Sequence, residues 1–290
     1  MPAASAAVTT PAELGGIAAL GPEATTLLQR LDGIFESWGR QVDAVPMIMP
    51  PLLPVARLAA LDYYRNFPHQ AMVVAPLQLS GVDRSHEPSD TGFLPEALEP
   101  ASLGLPSAAC YGIYLHLAGQ QLDAPMRVTV LGRCFRREDH YEDLRRLLGF
   151  HMREVVAIGP RDYVDDHLRQ FTSRVRDFAT RLDLPLQRVA ATDPFYDRGG
   201  SRAVLAQLSP VKHEFVYEDL AIASTNIHRN FFGERCEITL AETGGPVFTS
   251  CVAFGLERWV SALTRRFGGW DEAHAALNAV EGITGALSGR

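Results

Sequence analysis

Two short apolar runs on either side of a charged segment form the clearest pattern along this chain. Residues 128–131 and 155–158 are rich in β-branched side chains and have the length of strands. The segment between them, 136–146, is strongly charged, so the pattern predicts an antiparallel hairpin with a long connection.

Apolar residues at helical spacing predict two long helices, over 23–38 and 163–182. Around Pro46 the many prolines allow at most an edge strand. The remaining segments are interpreted by the same periods: short helices at 57–64 and 258–267, a helix from Asp271 onward, strands at 71–79, 214–218, 236–240 and 247–252, a mobile loop at 82–106, and a mixed segment at 110–122. Without regular βαβ alternation, an antiparallel sheet flanked by helices predicts an α+β fold.

The composition is that of a globular protein, with 290 residues, 47% hydrophobic and 21% charged. No apolar run reaches the roughly 18 residues of a membrane span, and the N-terminus lacks the regions of a signal peptide. We therefore expect a cytoplasmic protein with a disordered tail over 1–20 and a catalytic domain over 21–290. The four cysteines form no CxxC pair and predict no disulfide framework; Cys134 and Cys236 are interpreted as small buried hydrophobes.

The hairpin carries side chains that suit a nucleotide. Alternation places Arg136 and Glu138 on one face, and Phe150, Met152 and Glu154 on one face of the return strand. A guanidinium can fork onto a phosphate, a carboxylate can accept from an exocyclic amine, and an aromatic ring can stack on a base.

These residues also carry a family resemblance. FRRE (135–138), Arg146 in RLLGF and FHMRE (150–154) resemble motif 2 of class II aminoacyl-tRNA synthetases. CVAFGLERW (251–259) resembles motif 3, and GRQVDAVP (39–46) resembles motif 1. More narrowly, LPSAAC, ATDPFYD and STNIHRNFFG have counterparts in amino acid:[carrier protein] ligases, the truncated homologues of zinc-dependent seryl-tRNA synthetases. The resemblance implies an antiparallel sheet flanked by helices, and a homodimer built on motif 1; the alternative is a helix packed only on its own core.

The resemblance assigns ATP binding to the hairpin and motif 3. Arg136 would be the catalytic residue, contacting both the α-phosphate and the carboxylate that attacks it. Arg258 would cover the adenine and meet the γ-phosphate. The full expected ATP-binding set is Arg136, Glu138, Arg146, Phe150, Glu237 and Arg258. One departure is Ala253, which replaces the first glycine of motif 3 and narrows the backbone approach to the nucleotide.

The same resemblance selects Cys110, Glu154 and Cys251 as zinc ligands. Two thiolates and a carboxylate suit Zn²⁺ and leave a fourth position open for the amino group of the substrate. The alternative is two buried thiols and an unrelated glutamate.

A second metal set lies in STNIH, where class II enzymes hold Mg²⁺ and pyrophosphate. Ser224 and Asn226 are the expected magnesium ligands, and they share a face with His228 if the segment is a strand. The glutamate that other class II enzymes carry three residues earlier is Ala221 here. A structural role for Asn226, or Mg²⁺ binding by Glu237, stays open.

The expected reaction is ATP-dependent activation of a small amino acid and its transfer to the phosphopantetheine thiol of a carrier protein. Binding of tRNA is disfavoured because 34 acidic residues outnumber 27 basic ones and because fewer than forty residues precede motif 1. Two alternatives remain: the same activation with tRNA or a small molecule as acceptor, and a synthetase-like regulatory or binding subunit without catalysis. Retention of Arg136 and Arg258 counts against the second.

Overall fold

The computed structural model describes residues 15–79, 88–90, 92–197, 199 and 211–288. The helices in these ranges are α1 (Pro22–Arg40), α2 (Val55–Ala60), α3 (Tyr63–Asn66), α4 (Cys110–His116), α5 (Arg161–Arg181), α6 (Phe231–Arg235), α7 (Leu256–Phe267) and α8 (Trp270–Ser288). The strands are β1 (Val45–Met47), β2 (Leu53–Pro54), β3 (Met72–Val74), β4 (Leu103–Leu105), β5 (Gln121–Leu122), β6 (Met126–Phe135), β7 (Gly149–Gly159), β8 (Leu186–Ala191), β9 (Lys212–Tyr217), β10 (Leu220–Arg229), β11 (Thr239–Leu240) and β12 (Phe248–Gly255).

A seven-stranded sheet organises these elements, in the order β1-β6-β7-β12-β10-β9-β8. The predicted hairpin is confirmed as β6 and β7, which pair antiparallel from Met126↔Ile158 to Phe135↔Gly149. The α+β class is confirmed, and within the seven-stranded sheet every pair is antiparallel except one, since β1 runs parallel to β6. This exception is the edge strand that contains Pro46, where a missing backbone donor is tolerated.

The two faces of the sheet are buried differently. The long helices α1, α5, α7 and α8 cover one face with a core that includes Phe35, Phe254 and Trp259. The opposite face packs against the short helices α4 and α6, and its core includes Cys110 and Cys251. Because side chains alternate along β7 and β12, each of these strands contributes residues to the core under the long helices and to the opposite face, where Cys110 and Cys251 lie.

An ion pair between buried Arg153 and partly buried Asp32 links the first helix to the hairpin. Arg153 on β7 donates from Nε and Nη2 to the two carboxylate oxygens of Asp32 on α1, at 2.7 and 2.8 Å. The Nη1 atom of Arg153 donates to Thr129 Oγ1 at 3.2 Å. This ion pair fixes the position of α1 against β7, next to Glu154.

Several predicted elements are confirmed and others need correction. The helices at 23–38, 163–182 and 258–267 and the strands at 214–218 and 247–252 are confirmed as α1, α5, α7, β9 and β12. The strand at 71–79 is only Met72–Val74, because Pro76 cannot donate to a ladder. The strand at 236–240 is only Thr239–Leu240, because Cys236 ends α6 and Glu237 has a left-handed backbone with φ 53°.

Other differences lie at the edges of the sheet. Strand β8 was not predicted, and its residues are mostly exposed. Strand β10 was considered only as one possible structure of the STNIH segment. The predicted loop at 82–106 lies partly outside the described residues, at 82–87 and 91, and its described part contains β4. Of the predicted tail, residues 1–14 lie outside the described ranges, whereas Leu20 packs against the core and Gly16 O accepts a hydrogen bond from Leu148 N. Within the described residues no helix has the length and apolarity that crossing a membrane requires.

Candidate active site

Two adjoining cavities open beside the sheet, the smaller at the start of α7 and the larger beside α4 and α6. The smaller has a volume of about 70 Å³ and the larger about 320 Å³. Both are lined by the same five residues where they meet: Arg136, Met152, Lys212, Ser224 and Ala253. A ligand that spans the two cavities must therefore pass two cationic side chains.

Arg136 is held in place before any ligand binds. Its Nε and Nη2 atoms donate to the Ser107 carbonyl at 3.2 and 3.0 Å. Its guanidinium carbon also lies 5.2 Å from the centroid of the Phe150 ring. Among the described residues no other group accepts a hydrogen bond from the remaining N–H groups, so the side chain is preorganised for an anion at the boundary of the cavities.

Arg258 lies at the smaller cavity as a partly buried cation with carbonyl partners. Its Nε donates to Arg145 O at 2.8 Å and its Nη1 to Ala221 O at 3.1 Å. Burial, and next the positive charge of Arg136, lower the pKa of Arg258 to about 10. The group is still charged at neutral pH, and an anionic ligand would offset the cost of its desolvation.

The other expected ATP residues divide into two groups. Glu138 and Phe150 line the smaller cavity, and Arg146 is brought to Glu138 through an Nη1–Oε2 contact of 3.1 Å. Glu237 is exposed in the turn after α6 and lines neither cavity, so the structure does not bring it to the others.

Cys110, Glu154 and Cys251 meet on the wall of the larger cavity. They come from α4, β7 and β12, all three are buried, and their ligand atoms lie within 4.8 Å of one another. The approach of α4 depends on Gly132 of β6, since a Cβ there would come within 2.7 Å of Ala109 Cβ. Glycine at this position therefore lets the segment that carries Cys110 lie against the sheet.

The surroundings of this cluster disfavour negative charge on its thiols, and a bound cation would offset that. The hydrogen bond to Cys251, burial and the Glu154 carboxylate all raise the pKa of Cys110 well above its ordinary value. For Cys251, the hydrogen bond from Cys110 lowers the pKa, but burial and Glu154 outweigh it and the net pKa is raised. Glu154 Oε1 accepts from the Ala109 and Cys110 amides at 2.8 and 3.1 Å, whereas the buried Oε2 makes no hydrogen bond among the described residues. An unsatisfied carboxylate oxygen beside two thiols fits a divalent metal such as Zn²⁺.

The STNIH segment is the middle of β10, and its polar residues face the same cavity. Ser224 lies where the two cavities meet, and Asn226 and His228 line the larger one. The Asn226 amide donates to Ser224 Oγ at 3.1 Å and to Cys251 Sγ at 3.4 Å. Burial lowers the pKa of His228 to about 4, so its ring is neutral at physiological pH.

Sequence reasoning assigned no role to Lys212 and Asp193. Lys212 Nζ lies 3.1 Å from Asp193 Oδ1 and 3.2 Å from Glu214 Oε1. A signal was present, because Lys212 is the only lysine of the chain and Asp193 lies in the quoted ATDPFYD.

Glu257, which precedes Arg258, also went unassigned. Its carboxylate accepts from the His151 amide at 3.0 and 2.9 Å and lies 2.7 Å from His151 Nδ1. This contact fastens the start of α7 to β7 and so fixes Arg258 relative to Phe150.

The chain is similar to two curated proteins of Bradyrhizobium diazoefficiens. It is 32% identical to amino acid–[acyl-carrier-protein] ligase 1 over 257 residues, covering 84% of this chain and 77% of that protein. It is 33% identical to amino acid–[acyl-carrier-protein] ligase 2 over 246 residues, covering 80% and 72%. No protein-family model matches the chain.

The fold is similar to that of a solved synthetase. The structure of M. kandleri seryl-tRNA synthetase in complex with A. aeolicus tRNASec matches with a TM-score of 0.72 and 20% identity, over 88% of this chain. The match spans 58% of that synthetase. At this identity the likeness shows the fold alone, which is that of a class II aminoacyl-tRNA synthetase.

Proposed function

The chain belongs to the amino acid–[acyl-carrier-protein] ligases, and we propose that it activates a small amino acid with ATP and transfers it to the phosphopantetheine thiol of a carrier protein. The observation that carries the proposal is the junction of the two cavities. One cavity is lined by cationic and aromatic groups suited to a nucleotide, and the other by a Cys/Glu/Cys cluster suited to a metal.

ATP would occupy the smaller cavity. Phe150 would stack on the base and Glu138 would accept from its exocyclic amine, with Arg146 holding that carboxylate in place. Arg258 would bind the outer phosphates and Arg136 the α-phosphate. Its preorganised N–H groups support this role, since groups fixed in advance need no reorganisation when charge develops.

The amino acid would bind in the larger cavity through its amino group. Cys110, Glu154 and Cys251 would hold Zn²⁺ and leave one position open. When bound, the zinc supplies a Lewis-acidic site for a free amine, which selects amino acids over other carboxylic acids. The unsatisfied Oε2 of Glu154 supports the ligand set.

The reacting groups would meet at the boundary of the cavities. There a carboxylate oxygen attacks the α-phosphorus, the bond to the bridging oxygen breaks, and pyrophosphate leaves. Arg136 and Lys212 lie at this boundary and would offset the repulsion between carboxylate and phosphate. The carrier thiol then attacks the activated carbonyl and gives up its proton to solvent. The bond between the acyl carbon and the phosphate oxygen breaks, so a thioester forms and AMP leaves. This scheme requires no nucleophilic side chain of the enzyme.

A magnesium ion bound with ATP is part of the proposal, with Ser224 and Asn226 as candidate ligands. Ser224 is the better supported of the two, because it lines both cavities. The homodimer through motif 1 and the cytoplasmic location also remain predictions. Exposed Val45 and Ile48, in and just after β1, fit a partner at this edge of the sheet.

The decisive experiment separates activation from transfer. Amino-acid-dependent ATP–pyrophosphate exchange across the twenty amino acids tests activation and identifies the substrate. The enzyme, ATP and the activated amino acid are then incubated with holo-carrier, apo-carrier or bulk tRNA. We expect label only on the holo-carrier, since the apo form lacks the thiol. Labelled tRNA with unlabelled holo-carrier would favour the tRNA alternative, and no exchange with any amino acid would favour a non-catalytic subunit.

A further inference from the structure

Cys251 differs from a simple buried thiol in that two side chains on the neighbouring strand face its sulfur. Asn226 is its direct cross-strand partner in the β10–β12 register, and its Nδ2 lies 3.4 Å from Cys251 Sγ. His228 Nε2 lies 3.7 Å from the same sulfur. Both contacts come from the face of β10 that lines the larger cavity.

His228 lies at a β-bulge. The β10–β12 register shifts between Ile227 and Arg229, so His228 is the extra residue of the bulge. Regular alternation already places His228 on the face of Asn226, and the bulge changes its position along the partner strand. The imidazole Nδ1 then lies 3.1 Å from Thr249 Oγ1 and 3.3 Å from the Tyr114 hydroxyl.

The direction of these hydrogen bonds follows from the chemistry of a metal-bound cysteine. A thiolate has no proton and can only accept, so Asn226 must present its amide nitrogen and His228 its Nε2–H. A neutral imidazole that carries its proton on Nε2 has an accepting Nδ1. The hydroxyls of Thr249 and Tyr114 are the donors available to that atom.

We propose that Asn226 and His228 are positioning residues that donate two N–H···S hydrogen bonds to the Cys251 thiolate. These bonds fix the sulfur for the metal and draw electron density away from it, so a bound zinc stays more acidic toward the substrate amine. The proposal rests on the zinc site of the proposed function. It gives Asn226 a role at the zinc ligand in place of a magnesium ligand.

Groups that orient a metal ligand typically change metal affinity by about 10- to 100-fold when they are removed. We therefore expect Asn226→Leu and His228→Phe each to release metal about tenfold faster to a chelator. Both substitutions keep approximate side-chain volume and remove the N–H donor. Thr225→Val is the matched control, because this buried residue is adjacent on β10 and its hydroxyl has no partner among the described residues.

A second readout separates a hydrogen bond to sulfur from a general loosening of the fold. In the Co²⁺-substituted protein, the sulfur-to-cobalt charge-transfer band reports the energy of the thiolate electrons. Removing an N–H donor raises that energy, so the band should move to longer wavelength in N226L and H228F and stay in place in T225V. A destabilised fold changes how much cobalt is bound but does not shift the band of the protein that binds it.

The outcomes are distinguishable. If the wild-type protein binds neither Zn²⁺ nor Co²⁺, the proposed zinc site itself fails. If the wild type binds metal and both variants keep its band position and release rate, the positioning role is overturned while the zinc site stands. A shift in one variant alone assigns the role to that residue and refutes it for the other.

Discussion

Replacing Arg136 by alanine is the sharpest test of the proposed activation step. The side chain is held by two donations to the Ser107 carbonyl and lies beside the Phe150 ring, so its free N–H groups are aimed before substrate arrives. Loss of one preorganised donor typically costs about 3–4 kcal/mol in the transition state, which is about 10²- to 10³-fold in rate. Because Arg136 supplies both a charge and more than one donor, we expect the upper end of that range.

The substitution Arg136→Lys gives an intermediate case. Lysine keeps the charge but not the planar fork, and it cannot reproduce both contacts to Ser107 O and the ligand together. Hydrogen bonds to charged groups contribute about 1.5–3 kcal/mol, so we expect a loss of about 10- to 150-fold. The exchange rate should therefore decrease from the wild type to Arg136→Lys and again to Arg136→Ala.

The assay is ATP–pyrophosphate exchange at saturating ATP and amino acid, which reports activation without any acceptor. The matched control is Arg137→Ala, because this neighbouring arginine is exposed and lines neither cavity. Zinc content and thermal unfolding of each variant show that the fold is intact. An alanine variant that folds, retains its metal and exchanges within threefold of wild type would refute the placement of Arg136 at the α-phosphate.

Four further outcomes are expected. Protein purified without chelator should carry about one Zn²⁺ per chain and lose it on Cys251→Ser; metal analysis that finds no zinc in the wild type would contradict this. Lys212→Met should lower exchange by roughly 100-fold and Lys212→Arg by less, whereas equal rates for all three proteins would remove Lys212 from the reaction. Asp32→Ala should lower the free energy of unfolding by about 3–5 kcal/mol, because it leaves Arg153 buried without its anion. In urea titrations, the further substitution Arg153→Met should recover most of that loss. A loss below about 1 kcal/mol in the single variant would argue against a stabilising role of the ion pair. Burial lowers the pKa of His167 to about 3, so between about pH 6.5 and that value only the unfolded chain takes up a proton on this ring. The free energy of unfolding should therefore fall by up to about 1.4 kcal/mol for each unit by which the pH is lowered. His167→Gln should reduce that slope between pH 6 and 4, and an unchanged slope would be inconsistent with a neutral buried ring.

Local sequence was sufficient for the elements whose apolar residues repeat at one period. The helices α1 and α5 follow from such repeats, because one continuous face of each is buried. The hairpin of β6 and β7 follows from two short apolar runs, because β7 is buried on both faces. The same reasoning did not detect β8, an edge strand with little burial. It also failed at 236–240, where the left-handed backbone of Glu237 interrupts an apolar run.

The kind of chemistry was likewise predicted from the sequence, since the hairpin residues and the cysteines lie in segments that resemble motifs of class II aminoacyl-tRNA synthetases. What the sequence could not give was which distant residues meet. Cys110 reaches Glu154 only because Gly132 leaves space for the start of α4, and Asn226 faces Cys251 only because of the β10–β12 register. Glu237, suitable by residue type, was left outside the site by the turn after α6.

The division has a physical reason. Periodicity along a chain reports which face of an element is buried, and residue type reports what a side chain can bind; both are local properties of the sequence. Register, bulges and the packing of one element on another are set by contacts between segments far apart in the chain. The sequence by itself therefore determined the fold class and the kind of chemistry, whereas only the tertiary structure placed Lys212 where the cavities meet and His228 beside Cys251.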